Sequence, residues 1–373
     1  MSSSPSRACF ALVTLVSACT PRSSSGTGAA PSSSTGAPVV AATAPSASAS
    51  TLPPIPTSGP RLFVSNEASG AITLIDATTN RLVRTVPIGK RPRGIQASPD
   101  GKIIYAALSG SPPQGPGAPS GPKPAADRSA DGIGMLDAAT LEIVGKLPSG
   151  TDPEQFTLTA DGKSLYVSNE ETHGASLVDI PGKTIKQSIS VGEEPEGVSI
   201  SPDGKWVYVT CEGSDSVDVI DTRSNAVVAH VKVGARPRST GFLPDSSRAY
   251  VASESGSSIA VIALPKHTVE KTIQLEGGVV RPMGVTVAPD GKRVYVTTGH
   301  AATVVVVDVA KSEVVSKITV GGRPWGVAIA KDGKTLYTAN GTTDDVSVVD
   351  VATEKETSRI KVGGKPWGLV FVP

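Results

Sequence analysis

The sequence predicts an all-β protein: a seven-bladed β-propeller of four-stranded blades, its ring closed by the C-terminal strand joining the N-terminal blade. Three observations carry this reading. An aromatic residue inside a short apolar run recurs at Phe63, Tyr105, Tyr166, Tyr208, Tyr250, Tyr295 and Tyr337. A second run follows each, ending at Asp76, Asp137, Asp179, Asp221, Ala263, Asp308 or Asp350, thirteen residues on in six of the seven cases. Prolines at 92, 153, 195, 237, 282, 324 and 366 each open a further apolar run, and four of the six intervals between them are 42 residues. Four short runs in about 42 residues, with no helical periodicity, is the arithmetic of a propeller blade.

The chain begins with MSSSPSRA and the apolar run CFALVTLV, too short to span a bilayer and suited to the core of a signal peptide. Val16-Ser17-Ala18-Cys19 resembles the lipobox of bacterial lipoproteins, so residues 1–18 are expected to be a lipoprotein-type signal and Cys19 the lipidated residue. The resemblance implies an exported, membrane-anchored protein, periplasmic or at the cell surface. Thr20 is not Asp, which in lipoproteins implies no retention at the inner membrane. Residues 19–59 are Ser, Pro, Ala, Thr and Gly with few large apolar side chains, and are expected to form a disordered tether.

Residues 60–373 hold the repeats. The first unit opens at RLFVSN with what is the second strand of the other units, and the chain ends on KPWGLVFVP, a first strand. Pairing the two completes one blade and removes two open sheet edges. Six aspartates recur at the second-strand end, where a short carboxylate shapes a hairpin loop, and the Asp-Gly pairs suit tight turns. Blade two departs from the frame: Tyr105 and Asp137 are 32 residues apart, and the excess at about 109–132 is a Pro- and Gly-rich inserted loop.

Chemistry-bearing motifs are sparse. His173, His230, His267 and His300 stand singly, Cys211 lies alone in WVYVTC, and no CxxCH, phosphate loop or nucleophile elbow occurs. No cofactor and no catalytic or metal residue is therefore expected. The segments EGSDSVD (212–218) and TTDD (342–345) read as solvated loops, at best weak calcium sites. A net charge of +1 argues against broad attraction to nucleic acid.

What varies is the charge at the proline corners. Corner one carries Arg91 and Arg93, the next two carry Asp152, Glu154, Glu193, Glu194 and Glu196, and the rest carry Arg236, Arg238, Arg281, Arg323 and Lys365. Trp325 and Trp367 occupy equivalent Pro-Trp-Gly positions, as inter-blade packing or as a stacking surface. Exposed charge pairs contribute only about 0–1 kcal/mol each, so these are expected to serve a protein partner or small polar ligand, with Arg91, Arg93, Glu154, Glu194 and Glu196 at its centre.

The strands LYVSN, VYVTC and VYVTT resemble YVTN-repeat β-propellers over roughly residues 61–373. More narrowly, NEASG (66–70), GKRPRGI (89–95), ALSGSP (107–112), ADGIG (130–134) and DPEQF (152–156) resemble the propeller proteins associated with pyrroloquinoline-quinone-dependent catabolism. That resemblance implies a non-enzymatic scaffold or binding protein beside an exported quinoprotein dehydrogenase system acting on alcohols. A propeller enzyme, lactonase-like or a dehydrogenase subunit, is the alternative, and a nucleic-acid-binding propeller a more distant one.

Overall fold

A computed structural model describes residues 54–56, 58–112 and 124–373. The expected signal peptide, Cys19, nearly all of the tether and the middle of the inserted loop lie outside the described residues. Among the described residues from Pro60 onward there are seven four-stranded antiparallel sheets and two single-turn 3-10 segments, at Arg128–Ala130 and Glu170–Thr172.

Blade one has the order Pro366–Val372, Arg61–Asn66, Ala71–Asp76, Arg81–Pro87. The C-terminal strand lies antiparallel to the first, with Arg61 opposite Val372 and Val64 opposite Leu369. The other six blades take their innermost strand from the residues after the preceding proline corner, as in Pro195–Ile200, Trp206–Cys211, Ser216–Asp221 and Ala226–Lys232.

Strand composition follows position in the ring. The second and third strands of each blade lie between neighbouring sheets, so both faces are buried and the sequence reads as unbroken apolar runs. The outermost strand alternates, as AVVAHVK does with only Val231 buried. Each apolar cluster therefore draws on two adjacent blades: Tyr208, Val217 and Val219 pack against Phe242, Val251 and Ile262. The recurring aromatics also reach sideways. Tyr166 donates its hydroxyl hydrogen to Asn225 Oδ1 at 2.5 Å, Tyr337 does so to Asn80 at 3.2 Å, and the Tyr208 hydroxyl meets His267 Nδ1 at 2.8 Å. All three partner residues sit at positive φ in a hairpin turn of the next blade.

The recurring aspartates shape turns. The carboxylates of Asp76, Asp137, Asp221 and Asp350 accept backbone N–H groups two or three residues on, at 2.7–2.8 Å. At the inner edge of the ring the blades approach closely: a Cβ on Gly197 would lie 2.3 Å from the Arg238 carbonyl oxygen, so only glycine fits.

Candidate functional site

The residue before each corner proline is Arg91, Asp152, Glu194, Arg236, Arg281, Arg323 or Lys365, and all seven hold φ between 43° and 55°. Glycine adopts this left-handed conformation at no steric cost, whereas a side chain strains the backbone. The equivalent hairpin-turn positions carry an unselective mixture, including Asn80, Leu141, Ser312 and Glu354. All seven corner residues are charged, and all seven line one cavity of about 540 Å³ at the mouth of the ring.

A second shared position sits two residues on: Arg93, Glu154, Glu196, Arg238, Met283, Trp325 and Trp367. Hydroxyls from the second strand of the preceding blade fix this layer. Ser65 donates to the Arg93 carbonyl at 2.6 Å, Ser168 to Glu196 at 2.6 Å, Thr210 to Arg238 at 3.2 Å and Thr297 to Trp325 at 2.7 Å.

A third ring was not anticipated from the sequence. The residue just after the second strand is Glu67, Glu170, Glu212 or Glu254 in four blades, and all four line the cavity. Their signal is a 42-residue spacing from Glu170 to Glu212 to Glu254, immediately after SN, TC and AS. It was hidden because these glutamates read as loop residues beyond a strand.

The three layers interlock. Arg93 reaches Glu67 at 2.9 Å and contacts Glu154; Arg91 approaches Glu67 at 3.3 Å and Asp152 at 3.9 Å. Arg238 receives Glu196 at 3.2 Å, Glu254 at 2.7 Å and a close contact from Glu212, which also holds Arg236. Arg281 lies 3.4 Å from Glu254. Among the described residues Arg323 and Lys365 make no ion pair; the Arg323 guanidinium instead lies 4.9 Å from the Trp325 ring centroid, and Arg238 lies 5.3 Å from it.

Burial corrects the expectation of exposed corner charges. Glu154 is 0% exposed, and Asp152, Glu196, Glu212 and Glu254 are buried. Glu193, Glu194, Arg236, Arg281 and Lys365 stay exposed. Inner members are held in place by pairing, since an isolated buried charge is costly. The segments expected to be solvated loops differ too. Asp218 is buried against His230 at 2.8 Å, and Asp345 is buried with Lys361 at 3.0 Å.

Electrostatics separate the carboxyls. Burial alone would raise Glu67, but the guanidiniums of Arg93 and Arg91 hold it below its ordinary value. Burial and then the neighbouring Glu196 push Glu170 up to about 7, against Arg93. Burial and Glu196 likewise push Glu212 up to about 8, against Arg238 and Arg236, because three carboxylates crowd the Arg238 guanidinium. Arg323 is lowered, chiefly by burial.

The described flanks of the inserted loop cover corners one and two. Lys90 pairs with Asp127 at 2.7 Å, Arg91 donates to the Ser111 carbonyl at 2.6 Å, and Asp131 accepts from the Gly110 and Asp152 N–H groups at 2.7 and 3.2 Å. Five sequence segments, 66–70, 89–95, 107–112, 130–134 and 152–156, thus meet in one polar network.

The model of the family described as "Lactonase, 7-bladed beta-propeller" matches residues 191–365, less than half of the chain. A candidate 6-phosphogluconolactonase from Bacteroides uniformis is 18% identical, with 84% of this chain and 99% of that chain covered at a TM-score of 0.69. One from Bacteroides fragilis is 19% identical, with 84% and 98% covered at 0.67. Hydrazine synthase of Kuenenia stuttgartiensis is 23% identical, with 74% and 88% covered at 0.64. What these structures share with the chain is the propeller fold. No curated protein sequence matches it.

Proposed function

We propose that the protein is a lactonase-like hydrolase that opens a small polar cyclic ester in the mouth of the ring. The observation that carries this is the mouth cavity of about 540 Å³, on which the buried carboxyl of Glu212, raised by burial and by Glu196, and the ion-pair-free guanidinium of Arg323 both lie. The match to the seven-bladed lactonase model supports it, because residues 191–365 supply Glu212, Arg236, Arg238, Glu254, Arg281 and Arg323.

Hydrolysis of a lactone adds water to the ring carbonyl, breaks the acyl carbon–oxygen bond and leaves an alcohol and a carboxylate. A guanidinium without a carboxylate partner is suited to the oxyanion that forms, and Arg323, backed by the Trp325 face, is that group. A carboxylic acid with a value near the working pH is suited to protonate the departing ring oxygen and to recover a proton from the attacking water. Glu212 fills this role.

The test is a pH-stat assay of the purified chain against aldonolactones, phosphorylated aldonolactones and simple aliphatic lactones. We expect turnover of at least one class, with Glu212→Gln and Arg323→Gln each lowering kcat about 10²–10⁴-fold. No turnover of any class, or parental kcat in both variants, overturns the reading.

A second reading rests on the convergence of the five resembling segments into one network. It makes the mouth the docking face of an accessory protein in an exported quinoprotein system, held to a membrane through Cys19. Co-purification of a dehydrogenase in stoichiometric amount, together with absent lactone turnover, would favour it. Unchanged membrane partitioning of Cys19→Ala would remove the anchor.

A further inference from the structure

We propose that the acidic side of the mouth binds a hard divalent cation through the carboxylates of Asp152, Glu154 and Glu170, a role independent of lactone turnover. One carboxylate oxygen from each lies within 4.8 Å of the other two. Oxygens that share a cation at about 2.4 Å can be no farther apart than about twice that distance, so the trio has the span of a coordination shell.

An independent observation points into the cluster. Glu154 is fully buried, and neither of its carboxylate oxygens has a hydrogen-bond partner; Arg93 meets the group as an ion pair through Oε2. An acceptor removed from water and given no donor is destabilising, and a cation is the partner that satisfies it best. Asp152 is already committed on Oδ1 to the Ser109 hydroxyl, with Arg91 at 3.9 Å. The Glu170 side chain has neither ion pair nor hydrogen bond among the described residues, and it stands half-buried on the cavity wall, open to an ion arriving from solvent.

The charge balance of this sector agrees. Glu67, Asp152, Glu154, Glu170, Glu194 and Glu196 face Arg91 and Arg93, and assigning the shared Arg238 wholly to this side still leaves three more carboxyls than guanidiniums. The trio offers oxygen only, with no histidine or cysteine, which selects calcium, magnesium or manganese over zinc or copper. Three protein ligands leave coordination positions for water or for an oxygen of a bound molecule.

The sequence hid the site because its ligands come from a corner, Asp152 and Glu154, and from the exit of the next strand, Glu170. Sixteen residues separate the last two, a spacing set by the blade rather than by a metal-binding loop.

The experiment is calorimetric titration of the chelator-treated full chain with calcium, then with magnesium and manganese, at pH 7.5. We expect one ion per chain, a rise in melting temperature on adding it, and affinity roughly tenfold or more weaker in Glu170→Gln and Asp152→Asn. Melting of the Glu170→Gln variant in chelator should match the parent, which separates ligand loss from misfolding. Absence of binding by all three ions at roughly 10 mM overturns the proposal, as does parental affinity in both variants. Lactone turnover is not read, so this result and that of the hydrolysis assay stand apart.

Discussion

Trp325 and Trp367 stack across the boundary between the last and first blades, with ring centroids 5.8 Å apart and planes 24° from parallel. Trp367 is buried in the C-terminal strand, whereas Trp325 is half-buried and carries Arg238 and Arg323 over its ring. Both rings border the mouth cavity, but Trp367 also belongs to the strand that closes the propeller. Trp367→Ala should therefore cost about 3–5 kcal/mol in urea unfolding, and Trp325→Ala distinctly less. Equal losses would place both rings in the core.

Arg238 is the centre of the charged layer. Replacing it by leucine leaves Glu196, Glu212 and Glu254 facing one another away from water, and should destabilise the chain by about 3–5 kcal/mol. Glu194→Ala, at an exposed corner, should stay within about 0.5 kcal/mol of the parent. Chemical denaturation of the two variants side by side tests the contrast.

Ring closure rests on the pairing of Pro366–Val372 with Arg61–Asn66. Deleting residues 366–372 bares a six-residue strand and the apolar faces of Leu62, Val64 and Tyr337. The truncated protein should aggregate or become protease-sensitive at temperatures where the parent is monodisperse by light scattering. A truncation that melts like the parent would remove the energetic case for closure.

His267 supplies a pH dependence. Burial lowers its value below the ordinary 6.5, and its Nδ1 meets the Tyr208 hydroxyl. The folded state prefers the neutral ring, so the unfolded chain binds a proton more readily as pH falls. Its stability contribution is present above about pH 6.5 and is lost as pH drops toward the lower folded value. Melting temperatures measured from pH 8 to pH 5 should fall less in His267→Gln than in the parent.

Much of this was legible before any coordinates. Phe63, Tyr105 and their successors, the recurrent aspartates and the corner prolines specify strands and turns by local chemistry, and local chemistry repeats with the chain. The same regularity revealed the charged corners, since Arg91, Asp152, Glu194, Arg236, Arg281, Arg323 and Lys365 vary on a constant frame. Their backbone conformation was not legible, because nothing in a Gly-x-x-Pro-like string states that the residue before proline is left-handed.

Burial of the charges was also out of reach. Glu154 and Glu194 both flank a corner proline, one just after it and the other just before, yet the first is sealed from water and the second is exposed. Position alone does not decide it, since Asp152 at the Glu194 position is buried as well; what differs is the local surroundings, Glu154 meeting Arg93 and Glu194 facing solvent. Glu67, Glu170, Glu212 and Glu254 escaped notice for a related reason: their partners lie in other blades.

The sequence by itself determined the number of blades, the strands within each, the turns between them and the closing strand, because a 42-residue unit can bury its apolar faces only against copies of itself. Tertiary structure alone decided which charges meet. Closing the ring brings side chains far apart in the chain to within ion-pair distance of one guanidinium or one another, and Coulomb energy in a buried site depends on that distance and on the exclusion of water, neither of which is written in the order of residues.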